Sequence, residues 1–170
     1  WRFAGLSFAG WNVVVSLITA LFFHAFSTLR FNFRGVGNSK GAYDNGIGEQ
    51  EDIEDAVAWI RQKGKTEILL AGYSFGSWVS AKWLRNHDLE QPAILISPPI
   101  QVMDFDFSSL AGKVGLVVCA ENDQYCSPEK MREIAGRINC RFEVIPEADH
   151  FYFGCEGKMI AALNRYLAQE

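Results

Sequence analysis

Three residue types that together can activate a hydroxyl for attack on a carbonyl each follow an apolar, strand-like run in this chain. Ser74 lies in Gly72-Tyr73-Ser74-Phe75-Gly76, after the apolar run 66–71 and before 77–85, where Trp78, Ala81 and Leu84 share one helical face. Glycines two residues to either side let the backbone turn sharply without a Cβ clash. Such a turn lifts the hydroxyl above a sheet edge at a helix N-terminus, the arrangement called a nucleophile elbow. A serine hydroxyl is a poor nucleophile until an imidazole takes its proton, and a carboxylate must hold that imidazole in the right tautomer. The chemistry to look for downstream is therefore a histidine and an acid.

Only three histidines are present. His24 lies in an apolar helical stretch, and His87 falls near the end of the helix after Ser74, where a cation suits the helix dipole. His150 alone follows both the serine and an acid-bearing loop, in Pro146-Glu147-Ala148-Asp149-His150-Phe151. For the acid, the segment Ala120-Glu121-Asn122-Asp123-Gln124 offers two candidates and Asp149 a third. Asp149 adjoins the histidine it would have to orient and Glu121 sits nearer the strand, so Asp123 is preferred with the others open. Glu147, Asp149 and His150 form no spaced ligand set, so no metal and no cofactor are expected.

These loops need a scaffold with parallel strands. Helical patterns at 11–25, 49–63, 77–85, Pro128–Ile138 and 158–167 alternate with strand patterns at 28–33, 66–71, Ala93–Ile96, 114–119 and 141–145. Acids in the first turn of 49–63 and bases in its last match the helix dipole. Short buried strands separated by helices predict an α/β fold with a doubly wound, mainly parallel sheet in one domain, 1–170. In such sheets functional groups gather past the carboxyl ends of strands. With 170 residues, 49% of them apolar, the chain can bury a core, and its net charge of −4 without a basic block argues against nucleic acid. Four irregularly spaced cysteines fit a reducing, cytoplasmic setting.

The segment 30–41, R-F-N-F-R-G-V-G-N-S-K-G, has glycines spaced G-x-G-x-x-x-G, and the next helix starts only near Glu49, so a dinucleotide site is a minor alternative. Taken with Asp55 and Trp59 in the following helix, G-Y-S-F-G, A-E-N-D at 120–123 and A-D-H-F-Y-F at 148–153, it resembles the compact, lid-less α/β-hydrolases. These are serine esterases and peptidases related to dienelactone hydrolases, and the likeness runs from about Asn12 to the C-terminus. The resemblance implies Ser74 as nucleophile, Asp123 as triad acid, His150 as base and the Phe75 N–H as one oxyanion donor. It further implies a serine hydrolase that cleaves an ester, thioester or amide through an acyl-enzyme, with carboxylesterase or thioesterase chemistry ahead of peptidase chemistry. The expected partner is a small-molecule or acylated substrate.

The N-terminus departs from that pattern. Family members carry further strands and a His-Pro and Gly-Gly loop that supplies the second oxyanion N–H. Residues 1–11 read W-R-F-A-G-L-S-F-A-G-W. The sheet is thus expected to be N-terminally shortened, with its first strands absent or altered, and Trp11 or neighbouring Gly10 is the candidate second donor. The alternative is a catalytically impaired, hydrolase-fold binding or scaffold protein with an altered oxyanion loop. The stretch 3–29 carries no formal charge and is long enough to span a bilayer, though polar residues stripe it. It is better expected to offer an apolar helix face to a membrane surface or protein partner.

Overall fold

A computed structural model describes residues 27–168 together with two short strands nearer the N-terminus. The chain divides into two compact units, Trp1–Lys65 and Thr66–Glu170. In the first, β1 (Arg2–Phe3) and β2 (Leu6–Ser7) pair antiparallel, Arg2 opposite Ser7 and Phe3 opposite Leu6. The first strands, expected to be absent or altered, here take the form of a small hairpin. The pattern helix at 11–25, with His24, lies outside the described residues. The strand expected at 28–33 does not form: residues 27–32 are exposed and no described strand takes their backbone groups. The alternating aromatics there meet each other instead, Phe31 edge-on to Phe33 at 5.2 Å.

Helix α1 (Gly48–Gln62) follows a clasped loop. Its buried Glu49 turns back, Oε1 accepting the Asp44 N–H (2.9 Å) and Oε2 the Gly46 N–H (2.8 Å). Arg34 donates its backbone N–H to Asp52 Oδ2 (2.8 Å) and its guanidinium to Asp52 Oδ1 and Glu51. The glycine-rich segment is thus a turn closed on α1 by an ion pair rather than a phosphate loop opening a helix.

The second unit is a four-stranded parallel sheet with flanking helices. In sequence it runs β3 (Ala71–Tyr73), α2 (Phe75–Leu84), β4 (Ala93–Ile96), β5 (Val114–Asn122), α3 (Pro128–Ile138), β6 (Arg141–Asp149) and α4 (Glu156–Leu167). The strands lie side by side in chain order, β3-β4-β5-β6, each pair parallel. The ladder of β3 is shorter than the 66–71 pattern and displaced towards the elbow, its pairing with β4 starting at Ala71 opposite Ile94. Just before it, the Leu70 carbonyl accepts the Ile94 N–H at 2.9 Å.

All four residues of β4 are buried, as are Leu116 to Ala120 in β5, the near-continuous apolar run expected of a strand covered on both faces. Helix α3 starts on Ser127, whose hydroxyl accepts the Lys130 N–H, has Pro128 in its first turn, and stops at Asn139 in left-handed conformation (φ 55°). At the end of α2, Lys113 donates to the Leu84 (2.8 Å) and His87 (3.1 Å) carbonyls, closing a helix end that would otherwise leave acceptors open. Among the described residues no helix is long and apolar enough to cross a membrane.

Candidate active site

Ser74 occupies the one-residue junction between β3 and α2 with φ 49° and ψ −116°, a backbone state that side-chain-bearing residues rarely adopt. The junction is held from both sides. The Ser74 N–H donates to Ile96 O (2.9 Å), and the Ser74 carbonyl accepts the N–H groups of Ser77 and Trp78 and the Ser77 hydroxyl. The turn also requires glycine before it: a Cβ on Gly72 would stand 2.6 Å from Gly76 O and 2.7 Å from Ser80 Oγ. Backbone crossing backbone at that distance leaves room for hydrogen only.

The structure brings Ser74, Asp123 and His150 together. Ser74 Oγ is 2.9 Å from His150 Nε2, and His150 Nδ1 is 2.8 Å from Asp123 Oδ1. The imidazole and carboxylate side chains are both fully buried. Asp123 Oδ1 also accepts the N–H groups of Tyr125 (2.9 Å) and Cys126 (3.0 Å), while Oδ2 has no partner among the described residues. One carboxylate oxygen thus gathers all three donors, which fixes the acid's rotamer and aims it at the ring.

Both competing acids are engaged elsewhere. Glu121 Oε2 accepts the Glu147 N–H (2.7 Å), and Asp149 Oδ1 accepts the Phe151 N–H (2.9 Å). The segments that carry acid and base are longer strands than expected. β5 reaches Asn122 and β6 reaches Asp149, with Asn122 opposite Asp149 in the ladder. Asp123 and His150 are therefore first residues past paired strand ends, which explains their proximity.

Around the imidazole stand aromatic rings. Tyr125 meets it edge-on at 4.8 Å, Phe151 edge-on at 5.6 Å, and Tyr73 lies tilted by 31° at 5.5 Å. The Tyr73 hydroxyl donates to the His150 carbonyl at 2.6 Å. Residues 98–107 are tied to the elbow helix through Trp78 Nε1, which donates to Asp104 O (2.7 Å), and Phe105 stacks on Phe107. His87 caps its own helix, with Nδ1 2.8 Å from Trp83 O and its ring stacked on Trp83.

Phe75 follows the serine as the first residue of α2, so its N–H lies in the first helical turn, where the helix itself supplies no acceptor. Trp11 and Gly10, the candidates for a second donor, lie outside the described residues. Sequence reading passed over Tyr73 and Tyr125. The first was an unassigned position in the pentapeptide, and the second had only its place two residues after the acid to mark it.

The described residues that come nearest to a metal-binding set are Cys119, Asp123 and Cys126, whose ligand atoms lie within 4.8 Å of one another. Their chemistry does not suit an ion. Asp123 already serves three N–H donors, and a hydrogen bond with Cys119, together with burial, pushes the Cys126 thiol well above its ordinary ionisation. The Cys119 thiol donates to the Cys126 carbonyl (3.0 Å). The two thiols pack against each other, buried beside Asp123.

The sheet, the elbow and the serine–histidine–aspartate contact define a class, and comparison with known proteins places the chain within it. Residues 49–156 match the serine hydrolase family, and the chain belongs to that family. It is similar to an α/β serine hydrolase homologue from Coxiella burnetii (34% identity, 92% of this chain and 76% of that one, TM-score 0.78). A lid-less α/β serine hydrolase from Xanthomonas campestris is 30% identical, over 93% of this chain and 73% of that one, with TM-score 0.79. An uncharacterised protein of Rickettsia prowazekii is 29% identical over 92% of this chain and 71% of its own length. The chain is a hydrolase of the α/β fold.

Proposed function

We propose that the protein cleaves carboxylic esters or thioesters through an acyl-enzyme formed on Ser74. The observation that carries this reading is the unbroken hydrogen-bonded path Ser74 Oγ–His150 Nε2, His150 Nδ1–Asp123 Oδ1, at 2.9 and 2.8 Å. His150 Nε2 takes the hydroxyl proton as Oγ bonds to the acyl carbon, and Asp123 stabilises the imidazolium that results. The same proton then passes to the departing alcohol or thiol as the acyl–leaving-group bond breaks. Water repeats the sequence on the acyl-enzyme, returning the proton to Ser74 and releasing the acid. The Phe75 N–H serves the developing oxyanion, and a second donor, from Trp11 or Gly10, would add about 10²–10³ in rate.

The aromatic surroundings of His150 favour small apolar leaving groups over a peptide, and residues 98–107 are the proposed wall for the acyl chain. Four free cysteines, three of them buried, favour a cytoplasmic setting. Labelling with a fluorophosphonate probe tests the core of the proposal: the wild type should label and Ser74→Ala should not. Absence of Ser74-dependent labelling would leave a hydrolase fold used for binding alone.

A further inference from the structure

We propose that Tyr73 is a positioning residue for the histidine. Its hydroxyl, donated to the His150 carbonyl, holds the imidazole between Ser74 and Asp123 through the whole acyl cycle. The inference rests on the triad reading above. Tyr73 is the last residue of β3 and the direct neighbour of Ser74, so elbow and histidine turn are joined twice. One link is Ser74 Oγ–His150 Nε2, and the other is Tyr73 Oη–His150 O at 2.6 Å.

The two links behave differently as the reaction proceeds. Once Ser74 is acylated, Oγ can no longer donate to Nε2, and that edge of the ring must turn to a leaving group or a water. The hydrogen bond from Nδ1 to Asp123 then remains on the ring, beside its aromatic contacts. The tyrosine bond falls on the main chain of His150, outside the proton path, so nothing in the cycle removes it. Its platform is stiff, because Ser74 is locked in its strained junction by bonds to Ile96, Ser77 and Trp78. Burial, then the Asp123 and Asp149 carboxylates, push the phenol well above its ordinary ionisation, so the donor persists at alkaline pH.

The next buried tyrosine provides a control. Tyr152 lies 6.4 Å from Tyr73, ring to ring, but its hydroxyl bonds Ser97 Oγ at 2.7 Å rather than the histidine. Tyr73→Phe removes the phenol hydroxyl bonded to the His150 carbonyl, and Tyr152→Phe the one bonded to Ser97. Three readouts are compared: turnover of p-nitrophenyl acetate, fluorophosphonate labelling, and the downfield proton resonance of the His150 Nδ1–H bonded to Asp123.

Tyr73→Phe should lower kcat about 10- to 100-fold with KM little changed, and should broaden the downfield resonance. Tyr152→Phe should lower the melting temperature yet keep kcat and the resonance. A 3-fluorotyrosine placed at 73 keeps the shape with a more acidic donor, so kcat should hold while the resonance shifts; this arm decides if Tyr73→Phe does not fold. Wild-type kcat and an unchanged resonance in Tyr73→Phe, no shift with 3-fluorotyrosine, or equal losses in Tyr152→Phe would each overturn the inference while Ser74-dependent labelling persists. A wild type that does not label at Ser74 would overturn the triad reading and this inference with it.

Discussion

Asp123→Asn separates the charge of the acid from its geometry. Because Asp123 Oδ1 alone accepts the His150, Tyr125 and Cys126 N–H groups, an asparagine can place its carbonyl oxygen there and keep all three bonds. The His150 tautomer then survives, unlike a triad in which the amide turns its NH₂ towards the ring and costs about 10⁴ in kcat. What is lost is the charge opposite the imidazolium. At about 4 Å and an effective dielectric constant of about 20, that interaction is worth about 4 kcal/mol. It corresponds to a fall of about 10³ in kcat.

The amide NH₂ would take the place of Oδ2, buried and without a partner among the described residues, at about 1–3 kcal/mol of stability. Steady-state hydrolysis of p-nitrophenyl acetate and thermal unfolding measure the two effects separately. Glu121→Gln is the comparator and should retain activity, since Glu121 is bonded to the Glu147 backbone. A kcat for Asp123→Asn within about ten-fold of wild type, or a larger loss in Glu121→Gln, would refute the assignment of the acid.

Ser74→Ala should abolish probe labelling and lower turnover by at least about 10³, measured against the same ester. Gly72→Ala drives a methyl against the Gly76 carbonyl and should cost at least about 1–3 kcal/mol by chemical denaturation, with slower labelling as the elbow shifts. Lys113→Met leaves the carbonyls of Leu84 and His87 without their cation and should cost about 0.5–2 kcal/mol while kcat stays unchanged. Burial raises the Cys140 thiol from its ordinary 9.0 to about 11. Since the unfolded thiol ionises first, stability should fall as pH rises from about 9 to 11, and Cys140→Ala should flatten that decline in pH-dependent melts.

The parts of this molecule legible in its residues are those whose signals are local. Pro128–Ile138 carries a serine cap, an N-terminal proline and an asparagine stop, and Ala93–Ile96 is an unbroken apolar run; both elements match their patterns end for end. Strand ends were less legible because pairing partners set them. β6 continues through Pro146 to Asp149, where composition alone reads as loop, because β5 runs alongside it. Conversely, 28–33 alternates like a strand but joins no ladder among the described strands.

The site followed the same division. Motif and chain order led to Ser74 and His150, which the structure brings into contact, whereas Asp123 and Glu121 differ in which N–H groups they meet, a three-dimensional matter. Tyr73 could not have been singled out, since its bond reaches a carbonyl 77 residues away.

All three ladders of the second unit are parallel, so none can close as a hairpin, and Ser74 must wait for a partner 76 residues further along. Chain-closure entropy makes such long-range pairing slow, and a growing chain contains Ser74 well before His150 exists. On the proposed mechanism, a polypeptide still short of His150 should not label at Ser74. On that mechanism, recovery of hydrolysis after dilution from denaturant should lag behind helix formation, so turnover would time the pairing of β6 with β5.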